Sequence, residues 1–453
     1  MSESASIPTV RRRLIGGTAF NLLATVFNQG STLAANIVVA RILLKQGFGE
    51  YAMVQSTLLT MAMLAQLATG LTAAKYVAEY RACDPEKAGR IMGLCALISL
   101  VAAAMGAVLL IALAPWLATE ALKAPQLAVP LAVGSCFLFF SSVNGYQTGA
   151  LSGLEAYRSL AKAGVISGGI AVVVIPLGAW MGGLNGTVAC LCASAVFRCI
   201  IHNRWLRRES RGQGIRIQYR GIAQEKSVLT RFALPGVIAG YYSLPMMWLA
   251  SAFLAWQSGG YSELALYSAA NSLRMLVLFL PNVMNNVSLS VLNHEKARGD
   301  ILHYHRVFKT NVLHIAGGTL CAAAVVGLIG RPALNLFGRE FGEAHAVLWL
   351  LLLSALFEGL SIALFQYIQS SSRLWLSLFA VSIPRDTLYV VAARFLVPLY
   401  GGIGLAVAYL SSWMLCAICI LCCIRLLRRG NSLGDRHRDA GEREASRVWV
   451  FPC

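Results

Sequence analysis

Twelve long apolar segments run through the chain, and they restrict its fold more than any other feature of the sequence. A helix of about 20 apolar residues crosses the hydrocarbon core of a bilayer, which is about 30 Å thick. Because a backbone inside lipid must satisfy its own hydrogen bonds, each segment is predicted to be an α-helix. The predicted spans are roughly 14–40, 51–74, 91–114, 128–152, 163–181, 185–202, 229–256, 263–292, 310–329, 344–368, 374–398 and 402–425.

The composition also favours a membrane protein. The chain is 57% hydrophobic and 13% charged, with a mean hydropathy of +0.64, whereas about a quarter of the residues of a soluble domain are charged. A net charge of +18 would suit a nucleic-acid partner if it were gathered on one soluble face. The charge is spread over many segments instead. The sequence therefore predicts no nucleic-acid partner and places anionic membrane lipids beside the basic loops.

The distribution of the 38 lysines and arginines predicts the orientation of the spans. Thirty of them lie at the two termini and in the loops that follow even-numbered spans. Because loops rich in basic residues stay on the cytoplasmic side, both termini are predicted to be cytoplasmic. Five more lie in the opposite loops: Arg41, Lys45, Lys123, Arg331 and Arg339. The remaining three lie inside the apolar segments themselves: Arg274, Arg385 and Arg394.

The chain carries an internal repeat with an offset of 219 residues. Gln147 corresponds to Gln366, and the Gly182-Gly183 pair, in the turn predicted after the fifth span, corresponds to Gly401-Gly402 after the eleventh. Repetition of a six-span unit predicts two parallel halves, with a substrate site between them near the bilayer midplane. The predicted organisation is a six-helix bundle over 1–202, a basic cytoplasmic linker over 203–228, a second six-helix bundle over 229–425, and a polar, disordered cytoplasmic tail over 426–453.

The first predicted span carries a stripe of polar residues at helical spacing. Its members lie four, three, four and four residues apart, so they share one helix face: Asn21, Thr25, Asn28, Thr32 and Asn36. Polar residues inside a membrane face a cavity or a bundle interior. Hydrogen bonds between helices would explain the same pattern, and the sequence leaves both interpretations open.

The eighth predicted span repeats this arrangement and adds a charge. Its polar residues fall within roughly 120° of one another around the helix: Asn271, Arg274, Asn282, Asn285 and Asn286. Arg274 lies eleven residues beyond Glu263, which places it about 17 Å along the helix and so near the bilayer centre. An arginine at that depth costs at least about 3 kcal/mol on insertion scales. Arg274 therefore needs a carboxylate, water or a bound anion as its partner.

Beyond Arg274, three charged residues inside predicted spans of the second half are further site candidates. Glu358 in the tenth span shares a helix face with Gln369 and is a candidate partner for Arg274. Arg385 and Asp386 lie near mid-depth in the eleventh span, where successive side chains point about 100° apart and need not pair. Glu358 and Asp386 are candidates for coupling transport to a proton or a sodium ion.

Four cysteines near the end of the last span have spacing that resembles a metal motif: Cys416, Cys419, Cys422 and Cys423. Their sequence neighbourhood contains no histidine or carboxylate that would complete a metal site. Inside an apolar span such cysteines are typical of small buried filler. The sequence therefore predicts no metal and no cofactor.

Three segments resemble the polysaccharide transporter family, the Wzx-type oligosaccharide flippases of the multidrug/oligosaccharidyl-lipid/polysaccharide (MOP) exporter superfamily. They are QGFGEYAMVQS (46–56), GLTAAKYVAEYRACDPEKAGRIMG (70–93) and LVPLYGGIGLAVAYL (396–410). The resemblance covers essentially all of 10–425. It implies a MATE-like, all-α protein of two six-helix bundles in the bacterial inner membrane. Such a protein is not an enzyme: it moves an undecaprenyl-diphosphate-linked oligosaccharide to the periplasmic leaflet and works with other polysaccharide-assembly proteins.

The polar residues suit that substrate. Arginine offers a two-pronged fork to a diphosphate, and amides and hydroxyls offer hydrogen bonds to sugars. The predicted substrate-binding residues are Arg274, Asn21, Asn28, Asn36, Asn271, Asn282, Asn285, Gln147, Gln369 and Arg385.

Two other functions are alternatives. A MATE-like cation-coupled drug antiporter would carry a carboxylate in the first or seventh span, and this chain has none there. A membrane-embedded polysaccharide polymerase or ligase would carry a large outward loop with catalytic basic residues. The outward loops here hold few ionisable residues, so the flippase is the preferred interpretation.

Overall fold

The computed structural model describes residues 7–225, 234–298, 301–370 and 377–438, and those residues form helices and connecting turns without a β-strand. The helices are α1 (Ile7–Ala65), α2 (Thr69–Tyr80), α3 (Pro85–Trp116), α4 (Ala128–Gly153), α5 (Tyr157–Gly212), α6 (Leu234–Ala255), α7 (Gly260–Arg298), α8 (Ile301–Leu328), α9 (Gly330–Asn335), α10 (His345–Ser370) and α11 (Ile383–Arg438). Short 3₁₀ or π turns lie at Leu117–Ala121, Pro125–Leu127, Ile222–Glu225, Arg339–Ala344 and Leu378–Ser382.

Within these residues, seven helices are long and apolar enough to cross a membrane, and a bent helix pair is an eighth candidate. The all-α membrane fold is therefore confirmed. The number of candidate membrane-spanning helices is smaller than the predicted twelve, partly because α1, α5 and α11 each continue through an internal break. A helix of 56 residues, the length of α5 and α11, would be about 84 Å long if it were straight. That length is far more than one bilayer crossing requires.

Glycine makes the breaks in α5 and α11. Gly183 and Gly401 both have a φ of 54°, with ψ of −136° and −131°, a conformation that glycine adopts readily because it has no Cβ. On the two sides of the first break, a Cβ on Gly186 would overlap the carbonyl oxygen of Gly178. Gly404 approaches Leu396 in the same way beyond the second break. Both long helices therefore fold back on themselves as hairpins.

The second predicted span, 51–74, is corrected by the structure. The chain bends by 45° between α1 and α2 instead of continuing as one helix. Leu67 and Ala68 form the bend with positive φ values of 48° and 54°. Beyond it, α2 packs directly on α4, because Gly149 leaves room for the backbone at Gly70. The break was not predicted, although Gln66, Thr69 and Gly70 interrupt the apolar residues next to it.

The first half of the chain (α1–α5) and the second half (α6–α11) share one large buried core. Helix α1 is central to the junction, because it packs against α4 and α5 of its own half and against α6 and α7 of the other. The corresponding helices α4 and α10 are each 26 residues long. The residues predicted as a linker begin as the end of α5 and then pass in extended form across α3, where the Gln218 amide donates to the Gly89 carbonyl at 3.2 Å.

Candidate functional site

A cavity of about 510 Å³ lies where the two halves meet. One wall comes from the two arms of α1, and the other comes from α6, α7 and α11. Trp248 of α6 bridges the walls, since its indole N–H donates to Thr57 Oγ1 of α1 at 2.8 Å. The polar lining includes Gln29, Thr32, Asn36, Gln55, Ser56, Thr60, Ser251, Ser268, Asn271, Ser272 and Arg274. The location agrees with a site between two repeated halves.

The α1 wall is neutral. Asn36 is half-buried and lines the cavity, and Thr32 donates its hydroxyl to the Asn28 carbonyl at 2.9 Å. Asn28 itself is turned towards α5, where a Cβ on Gly168 would lie 2.9 Å from its Oδ1. The predicted stripe therefore divides between the cavity and the helix interface. The side chains of two stripe residues, Asn21 of α1 and Asn286 of α7, lie outside the described residues.

The opposite wall contains one buried guanidinium. Arg274 is 3% exposed, and its Nη1 forms an ion pair with Glu358 of α10. Its Nε donates to Asn271 Oδ1 at 2.9 Å, and Nη1 also donates to Tyr409 Oη at 3.0 Å. The carboxylate that the sequence suggested as a partner is therefore in contact with Arg274.

Tyr409 of α11 completes a triad with Arg274 and Glu358. Its hydroxyl donates to Glu358 Oε2 at 3.1 Å while accepting from the guanidinium. Its ring also lies beneath the guanidinium, with 4.7 Å between Arg274 Cζ and the ring centroid. Cation–π attraction is stronger when the cation is desolvated, and Arg274 is largely buried. The triad joins α7, α10 and α11 and has no net charge when Glu358 is ionised.

Arg385 and Asp386 form a second charged pair beside α6. Arg385 Nε donates to Asp386 Oδ1 at 2.7 Å, because the long arginine side chain folds back along its own helix. Asp386 is 2% exposed and accepts a further hydrogen bond from Ser243 Oγ at 2.5 Å. The guanidinium of Arg385 lies 4.8 Å from the centre of the Trp413 ring. Neither member of this pair lines the cavity.

Three amide side chains form a separate network among α7, α8 and α10. Gln366 donates to Asn285 Oδ1 at 3.0 Å and accepts from Asn311 Nδ2 at 2.7 Å. Asn282, one helix turn before this network, is exposed and donates to the Leu278 carbonyl at 2.9 Å. Asn282 and Asn285 therefore share a helix stripe with Arg274 without sharing its cavity.

Two predicted glutamines also lie away from the cavity. Gln147 is buried in the first half, where it accepts from Asn144 Nδ2 at 3.2 Å and donates to Cys199 Sγ at 3.4 Å. The Oε1 of Gln369 is buried, and no hydrogen-bond partner for it lies among the described residues. Of the ten predicted substrate residues, the cavity lining contains Arg274, Asn36 and Asn271.

Sequence reasoning did not select the aromatic residues of the site. Tyr267, Tyr389 and Tyr409 line the cavity beside Arg274, with 5.4 Å between the ring centroids of the latter two tyrosines. An aromatic residue in an apolar span is typical of core packing, so its type alone says little. A tyrosine hydroxyl in the middle of a span does need a hydrogen-bond partner. That requirement is the feature of the sequence that could have identified these tyrosines.

Contacts between the halves cluster at one end of the cavity, which we call the Leu44 end after the break in α1. Lys45 Nζ lies 2.6 Å from Glu343 Oε2, and Phe48 packs against Phe337 and Phe341 with centroids 6.1 and 5.9 Å apart. These contacts join the turn in α1 to the loop before α10.

A second set of contacts at the Leu44 end runs from the second half to the first. Trp256 Nε1 donates to the Ala121 carbonyl at 2.6 Å, and Tyr261 Oη donates to the Leu122 carbonyl at 2.8 Å. At the other end, the Tyr241 hydroxyl donates to the Leu64 carbonyl at 3.1 Å, next to the bend between α1 and α2. More contacts are thus described at the Leu44 end than at the opposite end.

Comparison with known proteins identifies relatives over nearly the whole chain. Residues 14–289 match the family described as polysaccharide biosynthesis protein. The EPS I polysaccharide export inner membrane protein EpsE of Ralstonia nicotianae is 25% identical over 414 residues, covering 88% of this chain and 92% of that protein. The protein of the same name from Ralstonia solanacearum is 24% identical, with coverage of 96% and 97%.

Two solved structures have the same fold. They are the inward-facing and outward-facing conformations of a multidrug resistance MATE family transporter of the MOP superfamily. Their TM-scores are 0.71 and 0.69, each at 17% identity, and they cover 89% and 90% of this chain and 96% and 93% of their own chains. At this identity the likeness shows a common fold, and it confirms the predicted MATE-like architecture.

Proposed function

Because the chain belongs to the polysaccharide biosynthesis protein family, we propose that it flips an undecaprenyl-diphosphate-linked oligosaccharide across the membrane. It is an inner-membrane exporter and not an enzyme, in agreement with the names of its relatives. The substrate in this proposal is one repeat unit of a surface polysaccharide on its lipid carrier. Export would deliver that unit to polysaccharide-assembly proteins on the periplasmic side.

The observation that carries the proposal is Arg274 in the cavity between the halves. A guanidinium offers two parallel N–H groups to phosphate oxygens, and such charge-assisted pairs are strong away from water. Arg274 would therefore bind the diphosphate of the lipid carrier whichever sugar is attached to it. We assign the headgroup of the lipid carrier to Arg274 and Asn271.

The α1 wall is suited to the sugars. Gln29, Thr32 and Asn36 present amide and hydroxyl groups without a formal charge. Such groups both donate to and accept from sugar hydroxyls. This assignment places the sugars against the first half and the diphosphate against the second half, so both halves hold the same substrate molecule.

The proposed topology has twelve spans with both termini in the cytoplasm. Counting the two arms of α1, α5 and α11 separately accounts for six spans. The other six are α3, α4, α6, α7, α8 and α10. In this orientation the Leu44 end faces the periplasm, and its contacts close the cavity on that side. Transport would exchange them for a closure at the opposite end, as in other transporters with repeated halves.

Flipping by reconstituted protein tests the proposal. Proteoliposomes would carry a labelled undecaprenyl-diphosphate-linked oligosaccharide, and a membrane-impermeant lectin would report the fraction on the outer leaflet. Wild-type protein should transfer the lipid, and Arg274→Ala should not. The matched control is Arg394→Ala, which removes an exposed arginine of α11 and should leave transfer unchanged.

The drug-antiporter alternative predicts a different result. If the wild-type protein fails to transfer the lipid but lowers dye accumulation in an efflux-deficient host, the flippase proposal is wrong. Equal transfer by Arg274→Ala and wild type would keep the function and remove Arg274 from the site.

A further inference from the structure

We propose that Glu358 takes up a proton when a diphosphate binds Arg274, so that anion binding and proton binding are linked at one site. This inference rests on the proposed function, because it assumes that the substrate's phosphates reach the Arg274 guanidinium. It extends that function by assigning Glu358 a role in the binding step: the carboxylate occupies the phosphate position while the cavity is empty.

The contacts of Arg274 explain why an anion must compete with Glu358. The Nε group is used by Asn271, and Nη1 is used by both Glu358 and Tyr409. Nη2 lies 4.0 Å from the sulfur of Met275, an exposed residue of the cavity lining. Among the contacts described for Arg274, Nη2 is the guanidinium nitrogen that donates to no oxygen, so a phosphate could bind it without displacing an oxygen acceptor. To engage two neighbouring N–H groups, as a two-pronged contact requires, it must also displace Asn271 from Nε, or Glu358 or Tyr409 from Nη1.

The charges favour displacement of Glu358 together with its protonation. The Arg274–Glu358 pair is neutral, so an incoming diphosphate would place a second anion beside one shared cation. Like charges that share a site in a medium of low dielectric cannot all remain ionised without a large penalty. A proton on Glu358 removes the repulsion and turns the carboxyl into a hydrogen-bond donor.

The other groups around Glu358 do not replace Arg274. Tyr409 on α11 supplies a neutral hydroxyl at 3.1 Å. Arg385 on the same helix acts on Glu358 electrostatically, but it is already paired with Asp386. Tyr267 of α7 is also within electrostatic range. From α8, the neutral Thr319 lies against the next residue of α10, Gly359. A carboxylate that loses Arg274 therefore keeps no unshared cation among the described residues.

Calorimetry of the purified full-length protein tests this linkage, with inorganic pyrophosphate as the probe. Titration in two buffers of different ionisation enthalpy gives the number of protons taken up with each bound pyrophosphate. Pyrophosphate titrates in the same pH range, so the informative quantity is the difference between wild type and Glu358→Gln. Wild type should take up about one proton more per bound pyrophosphate than Glu358→Gln. As the pH rises, the pyrophosphate affinity of wild type should therefore fall more steeply than that of Glu358→Gln, by about a further tenfold per pH unit.

Glu358→Gln should bind pyrophosphate at least as tightly as wild type, because its amide does not compete as an anion. The control Glu340→Gln removes an exposed carboxylate before α10 and should behave as wild type. If Glu358→Gln does not fold, infrared difference spectroscopy of wild type alone still tests the linkage. Addition of pyrophosphate to wild type should produce a protonated-carboxyl band in the difference spectrum.

The outcomes separate this inference from the proposed function. Tight binding with equal proton uptake by wild type and Glu358→Gln, or no new carboxyl band, would overturn the linkage and leave the anion site intact. Failure of both proteins to bind pyrophosphate would overturn the anion site itself. Binding that survives in Arg274→Ala would place the anion elsewhere and also overturn the inference.

Discussion

The two walls of the cavity differ in the charge and the burial of their polar side chains. The α1 wall carries amides and hydroxyls that, apart from the buried Thr60, are exposed or half-buried, and Thr32 satisfies its hydroxyl within its own helix. The opposite wall carries a guanidinium that is 3% exposed and is held by partners on three helices. Loss of an exposed amide changes little besides a substrate contact. Loss of a buried charge leaves its partner without compensation.

This difference separates recognition from positioning. On the α1 wall, neutral groups can be rearranged from one substrate to another because water can replace them. On the opposite wall, the position of the charge is determined by Asn271, Glu358 and Tyr409 together. We therefore expect substitutions in the second half to have larger effects than those in the first half, on both stability and transport.

The largest effect is expected for Arg274→Ala. Removal of one partner from a buried ion pair costs about 3–5 kcal/mol, because the remaining charge is uncompensated. Thermal unfolding in detergent should show this loss, and the lectin assay should show no transfer. The double variant Arg274→Ala/Glu358→Gln should regain most of the stability without regaining transport. Equal stability of the single and double variants would contradict the described ion pair.

Arg274→Lys should have the next largest effect. Lysine keeps the charge opposite Glu358 but loses the planar fork and the contact with Asn271. Hydrogen bonds to charged groups contribute about 1.5–3 kcal/mol, so initial flipping rates should fall at least about tenfold, and the unfolding temperature should fall less than in Arg274→Ala. A rate equal to that of wild type would show that the phosphate contact needs only a point charge.

Tyr409→Phe should have an intermediate effect. The ring remains beneath the guanidinium, while the hydroxyl that joins Arg274 to Glu358 is lost. Both of its partners are charged, and a hydrogen bond to a charged group contributes about 1.5–3 kcal/mol, so a fall in thermal stability is expected. Tyr400→Phe, in an exposed part of α11, is the matched control and should leave the unfolding temperature unchanged.

Asn36→Ala should affect substrate use more than folding. The side chain is half-buried, and substitutions of this kind usually change stability by less than about 0.5 kcal/mol. The apparent KM for the oligosaccharide lipid should rise, while pyrophosphate affinity stays the same because its site lies on the other wall. A parallel loss of pyrophosphate affinity would contradict the division of roles between the walls.

Lys45→Ala should have the smallest effect on stability. The partner Glu343 is 67% exposed, and exposed ion pairs contribute about 0–1 kcal/mol. The pair does cross between the halves at the Leu44 end. Its loss should therefore increase the labelling of Phe48→Cys by a membrane-impermeant reagent, and high salt should have a similar effect on Phe48→Cys with Lys45 retained.

Much of the fold could be predicted from hydrophobic segments alone. The prediction of 128–152 agrees with α4 (Ala128–Gly153), and that of 344–368 agrees with most of α10 (His345–Ser370). The Gly182-Gly183 and Gly401-Gly402 pairs were correctly placed at turns. The bend near Leu67 was missed although Gln66, Thr69 and Gly70 lie beside it, because hydropathy averaged over a whole span hides a local break.

The candidate site was predictable in part. Arg274 stood out because a charge at mid-span requires a partner, and Glu358 stood out for the same reason. Asn282 and Asn285 lie on the same helix face as Arg274. Asn285, however, is hydrogen-bonded to Gln366, and Asn282 is hydrogen-bonded to a carbonyl of its own helix. The position of a residue around the helix gives the direction in which its side chain points. The position of the residue along the helix decides which neighbouring side chain it contacts.

The sequence by itself determined that this chain is an all-helical membrane protein with charges confined to few positions inside the bilayer. That follows from the free energy of placing polar backbone and charged side chains in lipid, which acts on each segment separately. Only the tertiary structure decided which polar residues share a cavity and which satisfy one another. Those partnerships join residues as far apart as Thr57 and Trp248 or Arg274 and Tyr409, and they depend on the packing of helices that no single segment specifies.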